Sequence, residues 1–205
     1  MRKLTELQKD SLKEMGNIGA GSAATALSQL LGKDISVSVP EVSMMPVVEL
    51  GESLGKEQKI VAAVYLRIFG EIKARVLMLF PQEKVLLLID LLMKRKLGET
   101  REFNETEQSA LKEIGNIIIS SYLNALSKFI GMNSVPSVPA LAVDMAEAIF
   151  QTVSSELAGM SGEALMIKTV MEEETTRISN DLFLIPEEES MDNILKALDN
   201  TVNGV

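Results

Sequence analysis

From Leu4 onward, Leu4, Leu7, Leu12 and Met15 are separated by charged and polar residues. That spacing predicts a helix begun at a Thr5 N-cap. At ~100° per residue, Leu12, Met15, Gly16, Gly19, Ala23, Ala26 and Leu30 cluster on one side as a core stripe. Ile35-x-Val37-x-Val39 then alternates like a half-buried strand. The apolar stretches Ile60–Ile68 and Ile72–Phe80 flank Phe69-Gly70 and predict a hairpin. Pro81 opens a closing helix, PQEKVLLLIDLLM, at a tolerated first-turn position with acidic residues near its start.

The same plan runs again. At an offset of 99, DSLKEMGNIGAGSAATALSQLLG (10–32) meets SALKEIGNIIISSYLNALSKFIG (109–131). Leu-Lys-Glu, Gly-Asn-Ile, Ala-Leu-Ser and a closing Gly recur, and Ser38-Val39-Pro40 recurs as Ser137-Val138-Pro139. The second half continues with ALMIKTVM, ISNDLFLI, Pro186 and EEESMDNILKAL. The chain therefore reads as a single domain over residues 1–205, made of two repeats of about 1–100 and 101–205. The expected fold is α/β in the mixed α+β sense: one six-stranded mixed sheet about a pseudo-two-fold axis, with long helices on it. Between Pro139 and Glu163 the second half has a longer connection, AVDMAEAIFQTVSSE, read as an additional short helix unique to that half.

Gly19-Ala-Gly21-Ser-Ala-Ala24 matches the dinucleotide fingerprint G-x-G-x-x-G/A. The fingerprint needs a preceding strand, whereas here a helix is already running. Gly19 and Gly21 become Ile118 and Ser120 in the second copy, so the glycines are no shared feature. Glu14-x-x-Asn17 is shared, as Glu113-x-x-Asn116. The two residues of each pair lie about 60° apart on one helix face, roughly opposite the core stripe. The exposed face reads Asp10, Glu14, Asn17, Gly21, Ser28 in one copy and Ser109, Glu113, Asn116, Ser120, Ser127 in the other. Gly16 and Gly115 sit nearer the packing side, where a helix-interior glycine costs ~1 kcal/mol relative to Ala. Close backbone packing is the expected compensation.

Composition narrows the chemistry. Among 205 residues there is no cysteine and no histidine, which removes disulfides, thiolate zinc sites and His-based acid–base catalysis. A net charge of −9 argues against nucleic acid or an anionic membrane as partner. The longest apolar run, Val85–Met93, is interrupted by Asp90 and falls short of the ~18 residues of a membrane span. With no signal pattern at Met1-Arg-Lys, a cytoplasmic location without membrane insertion is expected.

A single Glu-x-x-Asn is ordinary on a solvated helix. Retained twice on exposed faces while buried neighbours changed, it calls for a more specific role, because mid-helix Asn is a mediocre helix former. The carboxylate suits a partner's Lys or Arg, and the amide, with one acceptor and two donors, suits a water aimed at a phosphoryl group. One carboxylate and one amide are too few ligands for a tight metal site on this chain.

Asp10-x-x-x-Glu14-x-x-Asn17 and Ser109-x-x-x-Glu113-x-x-Asn116 resemble the duplicated signature of the CheC family of bacterial chemotaxis phosphatases. The resemblance covers the whole chain. It implies hydrolysis of the phosphoaspartate of the response regulator CheY, with Mg2+ held by CheY and no cofactor on this chain. By that resemblance Asn17 and Asn116 position the attacking water, Glu14 and Glu113 contact a regulator lysine, and Asp10 and Ser109 support them. The relatives FliY and CheX share the signature, but FliY carries additional segments and CheX commonly has one copy. The family also binds CheD, a receptor glutamine deamidase whose substrates resemble helices with Gln or Glu among small residues. Ala148-Ile-Phe-Gln151-Thr-Val-Ser154 has that character, so Gln151 and Asp144 upstream of it are candidate CheD contacts, with Asp144 either capping the helix or meeting a basic group. The competing class is a non-enzymatic adaptor of the flagellar-switch type, or a protein whose main task is regulating CheD.

Overall fold

The computed structural model describes residues 3–50, 59–101, 104–157, 160–174 and 176–202. Two helices of equal length dominate it: α1 (Glu6–Leu31) and, after β1 (Ser36–Pro46), β2 (Ile60–Gly70), β3 (Ala74–Pro81) and α2 (Gln82–Leu92), the second, α3 (Glu105–Ile130). Then follow β4 (Ser134–Pro136), β5 (Ala140–Met145), α4 (Ala146–Ser154), β6 (Glu163–Glu173), β7 (Thr176–Pro186) and α5 (Glu188–Val202). The boundaries of α1 and α3 coincide at the repeat offset. Thr5 and Asn104 form capping boxes with Gln8 and Glu107, and Gly32 (φ 66°) and Gly131 (φ 68°) end the helices in the left-handed conformation.

The strands form one sheet in the order β1-β6-β7-β3-β2-β4, with β5 also on β2, and every pairing is antiparallel. Seven strands stand where six in a mixed sheet were expected, and the repeat explains the difference. In the first half, residues 36–46 stay one strand, with a register shift between Ser38 and Glu41. In the second half the corresponding stretch is cut into β4 and β5 around Ser137-Val138-Pro139. Both irregularities fall at the repeated Ser-Val-Pro, because proline cannot donate to a ladder. The symmetry also interlocks the halves: β1 pairs with β6 of the second half, and β4 and β5 pair with β2 of the first.

Side chains alternate between the two sheet faces as a strand's period of two requires. Ala62, Val64, Leu66, Met78, Phe80, Leu182 and Leu184 face the large core under α1 and α3. Val61, Ala63, Leu77, Leu79 and Phe183 face a smaller core closed by Leu50, Ile149 and Val153. Leu50 belongs to a helical turn at 47–50, at positions equivalent to the start of α4. A helix is therefore begun after β1 as well as after β5, and the expectation that it is unique to the second half is corrected. Burial sets the period in each half: one apolar residue at this place must cap the same face.

On α1, Leu12, Met15, Gly16, Gly19 and Ala23 are buried as expected, but Leu30 is 47% exposed while Leu27 and Leu31 are buried. The stripe advances by fours beyond Gly19 and so rotates around the helix. The reason is that α1 meets two partners. Gly16 lies over β1, where an added Cβ would stand 3.3 Å from Val39 Cγ1. Gly19 lies against α3, where it would meet Tyr122 Cδ1 at 2.7 Å and Cα at 3.0 Å. Gly115 of α3 faces β2, with Val64 Cγ1 at 2.8 Å. Tyr122 is itself held by a buried hydrogen bond between its hydroxyl and that of Thr169, at 3.1 Å, and burial pushes its pKa up to about 12.

The joint between the halves is clamped by two buried carboxylates. Asp90 accepts from the backbone N–H groups of Gly98, Glu99 and Thr100. Burial opposes ionisation there, but these bonds together with the Thr100 side chain hold the carboxyl below its ordinary range. Glu107 accepts from Asn104 N–H at 2.7 Å and from Arg95, and those two partners hold it low as well. The clamp sets where α3 begins.

The glycine contacts give a direct test. Gly19→Ala is expected to destabilise by roughly 1–3 kcal/mol through overpacking against Tyr122, despite alanine's better helix propensity. Gly21, with nothing within 4 Å of an added Cβ, is expected to stabilise on replacement by Ala by roughly 0.5–1 kcal/mol. Thermal denaturation reads both; equal shifts would show that α1 and α3 do not meet at Gly19.

Candidate functional site

Because α1 and α3 bury one side over the same sheet face, each turns its opposite side to solvent. Asp10, Glu14 and Asn17 are exposed along α1, and Ser109 and Glu113 along α3, with Asn116 half-buried. Within each copy the three residues lie one helical turn apart on a single face, which brings the predicted set together. Among the described residues Glu14 and Glu113 make no hydrogen bond or ion pair. Each carboxylate is free to meet a cation from outside. Leu7 and Ile18, 53% and 56% exposed, border the first pair and supply an apolar margin.

The two amides are held differently. Asn17 Oδ1 accepts a hydrogen bond from the backbone N–H of Val39 at 3.2 Å, across from α1 to β1. Val39 and Pro40 occupy the irregular stretch of β1 between the pairs Ser38↔Val170 and Glu41↔Lys168. In the second copy Val138 is 88% exposed, and Asn116 Oδ1 instead accepts from Ser120 Oγ on its own helix at 3.4 Å. Ser120 stands where the first copy has Gly21, so neither contact has its counterpart in the other copy. Nothing in the repeated Ser-Val-Pro marks out Val39 for this contact. Its contribution is a backbone N–H, which no residue type announces.

Asp144 is exposed at the end of β5, and Gln151 is exposed on α4, where its Nε2 donates to Glu147 Oε1 at 3.3 Å. Asp144 does not cap α4. Its Oδ1 accepts from Met145 N–H at 2.7 Å, and Met145 takes the cap position without a side-chain bond. The strand runs straight into the helix and leaves no room for an Asx turn there. Ala146, Ile149 and Val153 are buried against the sheet, while Ala148 lines a concavity of about 300 Å³ between β5 and α4 with Asp144 on its wall. Among the described residues no three carboxylates converge as a metal-binding group, and no helix is long and apolar enough to cross a membrane.

Comparison with known proteins bears on this geometry. The model of the CheC-like family matches residues 7–44 and 107–143, the two segments that carry the Glu–Asn pairs. The CheY-P phosphatase CheC of Bacillus subtilis (strain 168) is 30% identical over 199 residues, covering 95% of each chain. Among solved structures, Thermotoga maritima FliY superposes with a TM-score of 0.75 at 22% identity, covering 96% of this chain and 98% of that one. The FliM middle domain from H. pylori shares the fold at a TM-score of 0.65 and 14% identity, covering 95% and 99%.

Proposed function

This chain belongs to the CheC-like family, and from that membership we propose that it is a phosphatase acting on the phosphoaspartate of the response regulator CheY. The observation that carries the reading is the presence of two Glu–Asn pairs, exposed except for the half-buried Asn116 and with carboxylates unpaired among the described residues, in a chain so similar to a CheY-P phosphatase. The acting unit is the whole 1–205 chain as one domain, since each half completes the other's sheet. Its place is the cytoplasm, beside the regulator.

In this mechanism Glu14 or Glu113 pairs with a lysine of the regulator and fixes the docked orientation. The amide of Asn17 or Asn116 holds a water in line with the phosphoryl group. The water oxygen bonds to phosphorus, the bond from phosphorus to the aspartyl oxygen breaks, the leaving carboxylate takes the electron pair, and the water's two protons depart with the inorganic phosphate. Orientation supplies the acceleration, as elsewhere in phosphoryl transfer. Mg2+, if carried by the regulator, would neutralise charge on the phosphoryl oxygens. Asp10 and Ser109, a turn earlier on each face, support docking.

The alternative reading is a non-enzymatic adaptor of the flagellar-switch type, or a protein whose main task is regulating CheD. Two intact, solvent-facing pairs favour the enzyme, because an adaptor has no need of both amides. Phosphate release from phosphorylated CheY is the test. Asn17→Ala and Asn116→Ala are each expected to remove one site's share, and the double variant to lose on the order of 100-fold in kcat/KM while staying folded. A folded double variant with parental activity would overturn the assignment. Replacing both Glu14 and Glu113 by Ala is expected instead to weaken regulator binding and to flatten its salt dependence. Unchanged affinity would remove the lysine pairing.

A CheD-binding surface is proposed at Asp144 and Gln151, which stand exposed on either side of the β5–α4 junction. Asp144→Lys and Gln151→Ala are expected to weaken CheD capture and to leave basal phosphatase activity in place. Full retention of CheD by both variants would discard this footprint.

A further inference from the structure

We propose that Gly16 and the backbone N–H of Val39 form a positioning device for Asn17, so that the first site holds its amide in one fixed orientation. The inference rests on the phosphatase reading and deepens it. A backbone N–H can donate only to the carbonyl oxygen of an amide. The 3.2 Å bond from Val39 therefore turns Asn17 Oδ1 toward β1 and leaves the two Nδ2 donors facing outward. Ser120, by contrast, carries a hydroxyl that either donates or accepts. It satisfies Asn116 in either orientation and selects neither. The first pair thus presents hydrogen-bond donors to its substrate, and the second is free to flip.

Two features make the Val39 N–H available. The irregular stretch of β1 sets Val39 and Pro40 against the single residue Thr169, so the Val39 N–H falls outside the regular register and needs another acceptor. Gly16, one residue before Asn17, has no side chain to hold β1 away. A Cβ built there would stand 3.3 Å from Val39 Cγ1, 3.4 Å from Cγ2 and 3.6 Å from Cβ, tight against the first methyl, at the limit of ordinary contact with the second and ordinary against Cβ. An alanine at 16 requires the Val39 side chain to give by a few tenths of an ångström, and on this proposal that shift carries its N–H away from Asn17. The equivalent glycine of the second copy faces Val64 of β2, so the device belongs to the first site alone.

The experiment isolates the first site in an Asn116→Ala background and measures kcat and KM on phosphorylated CheY. Gly16→Ala is expected to lower kcat by about tenfold with KM unchanged, since the docking carboxylate is untouched. Thermal stability is not expected to fall in step, because alanine is the better helix former. Gly16→Ala combined with Val39→Ala removes the two methyls in the way and is expected to restore kcat. A merely structural role for Gly16 predicts no such recovery. Parental kcat in Gly16→Ala, or no recovery in the combined variant, would overturn the inference. If Asn17→Ala in the same background costs no activity, the catalytic assignment of Asn17 fails and this inference with it.

Discussion

Exchange of edge strands between the halves is the constraint on which the remaining structure depends. β1 finds its partner in β6, and β2 is completed by β4 and β5, so each half's first strand lies on the other half's hairpin. A three-stranded half alone would leave an apolar sheet edge unpaired, which is unfavourable in water. Joined this way, β3 and β7 become the central pair, and both faces of the sheet acquire continuous apolar surface. The helices that precede β1 and β4 are then carried onto one face, side by side.

That placement imposes the glycines. Two 26-residue helices must share the width of one sheet face and also touch each other. Gly19 admits Tyr122 at the helix–helix contact, and Gly16 and Gly115 bring each helix down onto a different strand. Each glycine weakens the helix locally, and close packing offsets the loss. The same tight seating leaves the outer faces free for Glu14, Asn17, Glu113 and Asn116. Structural economy and function are thus coupled through one residue step: Gly16 lies against the strand, and Asn17 beside it reaches the same strand's backbone.

Duplication produced two copies of the pair without producing two copies of its surroundings. The repeated Ser-Val-Pro became a bulged continuous strand in one half and a break between two short strands in the other. Val39 is consequently buried under α1, while its counterpart Val138 is 88% exposed. The shared residues include the Glu–Asn pairs and also buried Leu12/Leu111, Gly16/Gly115 and Leu27/Leu126. The strand beneath each pair diverged, because packing accepts many solutions of similar energy.

Much was legible from residue order alone. Helix caps at Thr5, the closing Gly32 and Gly131, the strand alternation and the Glu–Asn spacing are all local, and each depends on backbone periodicity and side-chain type that a sequence displays directly. The repeat made the pairs conspicuous and placed them on exposed faces. Other features were decided by tertiary structure. Strand order, and with it the interlock of the halves, follows from pairings between residues far apart in the chain, such as Gly70↔Ser134 and Ser36↔Glu172. Leu30 became exposed and Leu27 buried because α1 divides its contacts between β1 and α3, a division no single-helix projection contains. The tether on Asn17 is a backbone N–H freed by a bulge on another element. Every residue but proline has such a group, so only the fold determines which one is left without a partner and what it reaches.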